Sequence, residues 1–365
     1  MAIATLASLL LLGASIPPPP PVDGERPLVA WLPGEVLCDG TAVQPVTMRR
    51  PLTTLGWSRM PVAESVTVRF RIDAEGRPLS IDTKSARNTY PSQDIAPSLA
   101  ASRFASGAPR TGCEIRYRQA ITPLADAPVA DIVSYSLAPE SGPLPEAGWA
   151  RLSPAGSDCR RPPEILVRVS PEFRTLPGTP GVRDWVLLGH DIDARGRPRE
   201  VQTLYSTGNG ALNAAAGKAM RNWRFVAGRR TGCLNPFWRA ALPLPAPDGP
   251  DPESLRPAGA TCPVDSAWQR PPVLTYPSAF QRRGIEGWAI VAYDVAPWGE
   301  PGNIRVLASE PADTFGQQAE QVIRSARKPP SDRGAVGCIE RVRFVMGPRD
   351  GMEGQDGVPP PSSAP

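Results

Sequence analysis

Apolar and polar positions follow the same order in three parts of the chain. Each part begins with a strand-like run, VTVRFRID (66–73), WVLLGHDID (185–193) or WAIVAYDV (288–295). Four positions beyond the last aliphatic residue of each run lies a glycine, followed by Arg or Glu and then Pro: Gly76, Gly196 and Gly299. Glycine adopts positive φ without a side-chain clash, so this pattern predicts a hairpin turn. A second alternating run follows, most clearly GNIRVLAS (302–309).

A helix and a last strand complete each part. Apolar residues recur at helical spacing in the middle part (Leu212, Ala215, Ala216, Ala219, Met220, Trp223) and in the last part (Phe315, Ala319, Val322, Ile323, Ala326). In the first part the helix signal is weaker, with Pro97 in the first turn. The last strands are EIRYRQAI (114–121), LNPFWRAAL (234–242) and IERVRFVM (339–346). The predicted fold class is therefore α+β, with three tandem ββαβ units, each containing a small antiparallel sheet, one helix and one disulfide.

The spacing of the cysteines supports this repeat. The six cysteines form three successive pairs separated by 75, 74 and 76 residues: Cys38 and Cys113, Cys159 and Cys233, Cys262 and Cys338. Two cysteines per unit in an exported chain predict three disulfides within the units. No CxxC motif is present and the single histidine is distant from the cysteines, which argues against zinc or redox chemistry.

Proline-rich stretches divide the chain. The 47 prolines of 365 residues are about 13%, against about 5% in an average protein. They cluster around residues 17–27, 139–154 and 245–257 and in the tail, and predict linkers with few contacts across them. We call residues 28–125, 149–247 and 256–347 the first, second and third units, and expect a disordered tail at 348–365.

The N-terminus indicates export. Residues 1–16 are apolar and a proline run follows, so residues 1–20 are interpreted as a signal peptide or a short membrane anchor with its proline run. The apolar core is short for a bilayer span, which needs about 20 residues. The expected location is the periplasm, either free after cleavage or anchored to the inner membrane.

The units resemble the C-terminal domain of TonB, the periplasmic part of a bacterial energy-transduction system. The third unit carries the family's YPxxA-like segment and a glycine before its strand: Tyr276, Pro277, Ala279 and Gly287. The second unit carries the W-R-F sequence at its helix end: Trp223, Arg224 and Phe225. No unit has the complete set. The brief proline run and three consecutive disulfide-containing units also differ from the best-known form of the family.

This resemblance implies a binding protein of the outer-membrane transport system. In the family, segments of outer-membrane receptors are held by addition of a β-strand to a sheet edge. The matching segment of the third unit is Arg341, Val342, Arg343, Phe344 and Val345, which alternates basic and apolar residues. A membrane-anchored form would imply an ExbB/ExbD-type motor as a second partner. The alternative is an exported scaffold or interaction protein that uses this fold without a motor. The same alternation is also what a self-contained edge strand needs for solubility.

Other functions find little support in the sequence. A net charge of +4 without a basic cluster does not favour nucleic-acid binding. Ser325 and Lys328 form an isolated SxxK without its companion motifs. The stretch 210–218 lacks phosphate-loop spacing. His190, the single histidine, aligns with Phe70 and Tyr293 and is interpreted as a core residue. We therefore expect no enzyme activity, no cofactor, no metal and no small-molecule substrate.

Overall fold

The computed structural model describes residues 26–56, 64–84, 92–263 and 267–347. The predicted signal segment and the predicted tail lie outside the described residues. Within the described ranges, no helix is both long and apolar enough to cross a bilayer. The structure is a mixed α+β arrangement of small antiparallel sheets, short helices and three disulfides, which confirms the predicted class.

The first unit contains the largest sheet. Its elements are β1 (Leu28–Cys38), β2 (Thr41–Ala42), β3 (Pro45–Thr47), β4 (Thr54–Leu55), β5 (Ser65–Ile72), β6 (Pro78–Lys84), α1 (Ile95–Ala100), β7 (Arg103–Phe104) and β8 (Arg110–Thr122). The strand order is β2-β1-β8-β5-β6, with β4 also paired to β1, and β3 pairs with β7 separately. The hairpin β5–β6 and the last strand β8 match the predicted unit. The long strand β1 was not predicted.

Two short helices, α2 (Val129–Leu137) and α3 (Glu146–Leu152), lie between the first sheet and the strands of the second unit. The second unit consists of β9 (Ile165–Val167), a 3₁₀ turn (Phe173–Thr175), β10 (Asp184–Ile192), β11 (Pro198–Ser206), α4 (Gly210–Arg221), β12 (Arg224–Phe225) and β13 (Arg230–Arg239). Its sheet has the order β11-β10-β13, and β9 pairs with β12.

The third unit repeats the three-stranded pattern. After a 3₁₀ turn (Pro252–Leu255) come α5 (Ser278–Arg282), β14 (Gly287–Val295), β15 (Pro301–Glu310), α6 (Asp313–Ser325) and β16 (Ala335–Phe344). The sheet order is β15-β14-β16. The apolar stripe predicted for α6 is confirmed, because Phe315, Ala319, Val322, Ile323 and Ala326 are all buried.

The hairpin glycines have the predicted conformation and an additional role. Gly299 has φ 91°, and a Cβ on it would lie 2.0 Å from the Lys328 carbonyl oxygen. The Lys328 amide donates to the Gly299 carbonyl at 2.9 Å, so the turn also fixes the chain just after the helix. The same amide-to-carbonyl bond joins Phe104 to Gly76 and Phe225 to Gly196. A side chain at this position is excluded by both φ and space.

The three disulfides join the same pairs that the repeat spacing predicts: Cys38–Cys113, Cys159–Cys233 and Cys262–Cys338. Each connects the segment that enters a unit to the first residues of its last strand. The glycine before the second cysteine has positive φ in all three units, and a Cβ on Gly337 would lie 2.8 Å from the Ala260 Cβ. This close approach explains why the sequences that end at the second cysteines, RTGC (110–113 and 230–233) and AVGC (335–338), share a glycine.

The expectation that few contacts cross the proline-rich stretches is wrong. Leu144 and Leu152, within the predicted linker, are buried in one cluster with Leu28 of the first unit and Trp185 of the second. Prolines flank the helices α2 and α3 here, where they cap short helices without breaking them. The apolar residues between these prolines are too few to predict a buried segment from the sequence. In the structure, Leu144 and Leu152 cover the face of the second sheet that carries Trp185.

The first and third units share a hydrophobic core. A single cluster of buried residues contains side chains of both units, including Phe70, Ile81, Phe315 and Phe344. The Ile81 amide donates to the Pro311 carbonyl at 2.9 Å, and Arg71 pairs with Glu310 at 2.7 Å. The second unit has its own main cluster around Trp223 and Met220.

Candidate partner-binding edge

The last strand of the third unit lies at the edge of its sheet. β16 pairs antiparallel with β14, from Gly287 opposite Phe344 to Val295 opposite Ala335. Among the described residues, no strand pairs with the other side of β16. The chain's own residues 250–262 lie beside the first part of this outer edge, where the 3₁₀ turn (Pro252–Leu255) contacts β16 and the Arg341 guanidinium donates to the Pro250 carbonyl. There the Thr261 amide donates to the Val336 carbonyl at 2.9 Å, and the Val336 amide donates to the Thr261 hydroxyl at 3.0 Å. Residues 339–344 therefore present main-chain groups that no neighbouring strand uses.

The equivalent edge of the first unit is filled. β1 pairs antiparallel with the outer side of β8, from Leu28–Thr122 to Cys38–Cys113, with a bulge between Pro33 and Val36. The last strand of the first unit therefore has no free side for a partner strand. Sequence reasoning missed β1 because its proline, glycine and glutamate interrupt the alternation of apolar residues.

The edge of the second unit is interrupted. β13 pairs with β10 on one side only, within the part of the chain that the structure describes. Pro236 lies in the middle of this strand and is buried. Since proline has no amide hydrogen, this edge lacks a donor at its centre.

The side chains of β16 alternate between the core and the solvent. Val342 and Phe344 are buried, at 7% and 0% exposed. Arg343 between them is exposed, and the described part of the chain contains no ion pair to it. Phe344 packs edge-on against Phe315 of α6, with ring centroids 5.2 Å apart. The strand thus has an apolar face toward the helix and a basic residue on the other face.

Two of the five predicted edge residues differ from the prediction. Arg341 is not freely available, because its guanidinium lies 5.9 Å from the Trp288 ring centroid and donates to the Pro250 carbonyl. Val345 lies one residue beyond the end of β16 and is 58% exposed. The structure therefore brings Val342, Arg343 and Phe344 together as the regular part of the edge.

The Tyr-Pro segment holds the end of this strand. The Tyr276 hydroxyl lies 2.7 Å from the Ile285 carbonyl oxygen and 3.2 Å from the Phe344 carbonyl oxygen, and its single hydrogen is donated between these two acceptors, with the shorter bond to Ile285. Burial raises the pKa of Tyr276, so this hydroxyl remains a donor at neutral pH. Pro277 caps α5 and Ala279 is buried within it. A Cβ on Gly287 would lie 2.6 Å from the Glu310 carbonyl oxygen, so this glycine permits close packing.

The contacts of the W-R-F residues of the second unit all lie within that unit. Trp223 is 1% exposed, and its indole donates to the Val169 carbonyl at 2.7 Å. Arg224 donates to the Trp223 carbonyl at 2.5 Å, and Phe225 is buried beside His190. His190 is itself buried, as expected for a core position.

A polar cluster lies behind the edge of the third unit, and sequence reasoning missed it. Lys328 is buried, with its Nζ 3.9 Å from the Trp268 ring centroid, and burial lowers its pKa. Glu340 on β16 is half-buried, and burial raises its pKa while Lys328 partly opposes this. The available signal was a mismatch in the repeat, because Lys328 occupies the position of Phe104 and Phe225. Within the described residues, no group of three or more His, Cys, Asp or Glu side chains is arranged to hold a metal ion.

Comparison with known proteins places this edge within a family match. Residues 272–346 match the model of the TonB_C family, described as the Gram-negative bacterial TonB protein C-terminal. This range contains α5, β14, β15, α6 and β16. It covers one unit, so the prediction that the first and second units are copies of the same domain stays a prediction.

A distant relative agrees with this match. The chain is 30% identical over 94 residues to protein TonB of Escherichia coli (strain K12). The aligned stretch is 24% of this chain and 39% of that protein, so the chain spans less than half the length of this relative.

Proposed function

We propose that this chain is a TonB-like periplasmic protein that binds an extended segment of an outer-membrane receptor by strand addition to β16. The outer edge of β16, with which no strand of the described residues pairs, lies within the unit that matches the TonB C-terminal family, and this is the observation that carries the proposal. A sheet edge supplies affinity through main-chain hydrogen bonds and needs no catalytic group. The proposed role is therefore binding rather than catalysis.

The contacts of β16 support this role in a second way. The buried Phe344, held by Tyr276 and Phe315, fixes the position of the strand before any partner arrives. A preorganised edge loses little conformational entropy on binding. The exposed Arg343 then provides a charge that the partner meets on the solvent face.

The N-terminal segment determines how the protein acts in the cell. We propose export to the periplasm, with residues 1–20 either cleaved as a signal peptide or retained as an inner-membrane anchor. Retention would imply an ExbB/ExbD-type motor as a second partner, and cleavage would make the protein a periplasmic adaptor. Intact-mass measurement of the natively expressed protein separates the two, since cleavage removes about 2 kDa from the 39.0 kDa chain.

Calorimetry with synthetic peptides from the N-terminal segments of outer-membrane receptors tests the proposal. Strand addition requires every second amide of the peptide to face β16. N-methylation of one alternate set of amides should abolish binding, whereas methylation of the other set should preserve it. If unmethylated peptides fail to bind, or both methylated sets bind like the parent, the proposed function is wrong.

The alternative is an exported scaffold without a motor link. One observation favours it: the edge of the first unit is occupied by the chain's own β1, as expected of a unit with a purely structural role. A soluble, cleaved protein that binds none of the receptor peptides would support this alternative.

A further inference from the structure

Basic residues of the second unit collect at one end of that unit, from three stretches that are separate in sequence. Residues 164–168, 191–200 and 218–232 contain nine Lys or Arg and four Asp or Glu. These stretches sum to a formal charge of +5, and because the whole chain carries +4, the rest of the chain sums to −1. None of the stretches contains a long basic run, so this concentration of charge arises only when the chain folds.

Backbone contacts bring the three stretches together. The hairpin turn between β10 and β11 lies against β12, where the Phe225 amide donates to the Gly196 carbonyl at 2.9 Å. β12 pairs in turn with β9. The loop that leads to β13 returns to the hairpin, since Arg230 lies opposite Ile192. We call the resulting surface the basic face, and its basic members are Arg168, Arg195, Arg197, Arg199, Lys218, Arg221, Arg224, Arg229 and Arg230.

Most of these side chains are exposed and lack a carboxylate partner. Only Arg224 and Arg230 are half-buried. In the part of the chain that the structure describes, the basic face forms one ion pair, between Arg199 and Asp193 at 2.9 Å. Like charges that are held close together repel one another in the folded chain. An anionic partner would relieve this repulsion.

The other two units do not carry the same charges. Counting from the hairpin glycines, the position of Arg195 is held by Glu75 in the first unit and by Trp298 in the third. The arginine that follows the hairpin glycine of the first unit, Arg77, is paired with Asp73 at 2.6 Å. All three units form the same hairpin and an equivalent disulfide. The fold therefore does not require the basic face.

Exposed aliphatic side chains lie within the basic face. Leu166 and Val167 of β9 are 62% and 46% exposed, and Val226, which follows β12, is 38% exposed. The Val226 amide donates to the Glu164 carbonyl at 2.8 Å, which places it beside β9. A soluble polyanion gains nothing from aliphatic side chains. A lipid bilayer offers both anionic head groups and a hydrocarbon boundary, so it complements both features of this surface.

We infer that the basic face of the second unit binds the surface of a bilayer that contains anionic phospholipid, with Leu166, Val167 and Val226 entering the head-group region. This inference stands apart from receptor binding, because it uses a different unit and does not involve β16. Binding of this kind depends on several basic residues acting together, and it weakens as salt screens their charges.

The charge is tested by sedimenting the full chain with vesicles of phosphatidylcholine that contain about one-third phosphatidylglycerol. The wild type should bind these vesicles and should not bind pure phosphatidylcholine. Arg195→Gln with Arg197→Gln should weaken binding by about tenfold or more. Arg69→Gln with Arg118→Gln removes the same charge from exposed positions of the first unit and should alter binding by less than twofold. Absence of binding to the anionic vesicles, or equal effects of the two variants, would overturn the inference.

The aliphatic side chains separate a bilayer from a soluble polyanion as the partner. Leu166→Ser with Val226→Ser keeps every charge, so it should weaken vesicle binding by about fivefold and leave binding to dextran sulfate unchanged. Leu32→Ser with Val46→Ser makes the same change at exposed positions of the first unit and should leave both unchanged. Vesicle binding by the first variant equal to that of the wild type would overturn the lipid assignment in favour of an anionic polymer.

Two further measurements keep the test independent of folding and of the receptor. All variants should unfold at the wild-type temperature, because the substituted side chains are exposed. Lys218→Gln with Arg229→Gln provides a second pair on the basic face, with the same expected loss, should the hairpin pair prove less stable. Calorimetry with receptor peptides should give the same affinity for every variant, so a failure of vesicle binding and a failure of receptor binding are distinguishable.

Discussion

Arg283 and Asp94 form a buried ion pair at the point where the three units meet. The Arg283 Nε donates to Asp94 Oδ1 at 2.7 Å although 189 residues separate the two in sequence. The same guanidinium donates to the Gly181 carbonyl of the second unit at 3.3 Å. The other oxygen of Asp94 accepts from the Leu52 amide at 2.7 Å. One pair of side chains thus connects all three units.

Removal of one member of this pair should be strongly destabilising. Asp94→Ala leaves a buried, uncompensated guanidinium, for which the expected cost is about 3–5 kcal/mol in the free energy of unfolding. Denaturant titration followed by tryptophan fluorescence measures this cost. The double variant Asp94→Leu with Arg283→Met should recover part of it, because no charge then remains buried. A single variant within about 1 kcal/mol of the wild type would contradict the role of the pair.

His190 should make the second unit sensitive to acid. Burial lowers the pKa of His190 from 6.5 to about 4, and Asp191 offsets only part of this effect. Between these two values the unfolded chain binds a proton that the folded chain does not. Stability should therefore fall as the pH falls from 6.5 to 4, by about 2 kcal/mol at pH 5.

The variant His190→Phe tests this sensitivity. Phenylalanine already occupies the equivalent position in the first unit, at Phe70. The substitution removes the two ring nitrogens of His190, which are buried and have no hydrogen-bond partner. The variant should lose less stability than the wild type between pH 7 and pH 5, as measured by urea unfolding at both values. Equal losses in the two proteins would show that His190 does not contribute.

The hairpin glycine of the third unit should not tolerate alanine. Gly299→Ala combines a positive φ with a Cβ 2.0 Å from the Lys328 carbonyl oxygen, and should cost about 2 kcal/mol or more. Gly302→Ala, three residues further along the chain in β15, is a matched control, because a Cβ there meets nothing within 4 Å. Thermal unfolding of both variants should show a clear loss for the first and little change for the second. Similar midpoints would contradict the close approach at the turn.

The disulfide of the third unit should contribute through the loop that it closes. Chain-entropy estimates for a loop closed across a separation of 76 give about 4 kcal/mol, so the double variant Cys262→Ala, Cys338→Ala should lose about this much of the free energy of unfolding. Denaturant unfolding measures the loss. Peptide mapping without reduction should recover each pair within its own unit, and a bridge between units would contradict the pairing.

The repeat was predictable because it depends on local signals. Gly76, Gly196 and Gly299 mark turns that only glycine can form, and the cysteine spacing fixes which segments meet. The apolar residues of α6 recur at helical spacing, so they form one apolar face, and this face packs against the core. These features are set within about 80 residues of chain, where sequence pattern and structure correspond closely.

The relations between units were not predictable in this way. Asp94, Glu310 and Arg283 carry no pattern that distinguishes them from surface charges, and their partners are more than 180 residues away in sequence. The occupation of β8 by β1 was missed for a related reason. Its bulge at Gly34 and Glu35 interrupts the alternation that would have marked an eleven-residue strand. At the candidate site, the order of strands was predictable, but the packing of Arg341 on Trp288 was not.

The positions of the disulfides determine how the protein would respond to tension between its ends. Each bridge joins the entry of a unit to the start of its last strand, across sequence separations of 75, 74 and 76. The chain between two bridged cysteines therefore cannot be drawn out while the bond is intact. At about 3.4 Å per extended residue, each bridge withholds roughly 250 Å of chain. A pull that opened the sheets would lengthen the oxidised protein only through the residues outside these loops, which include most of β1, β8, β13 and β16 and the helices α2 and α3. The same pull on the reduced protein would release the hairpins and helices as well, so the oxidised form is by far the less extensible tether.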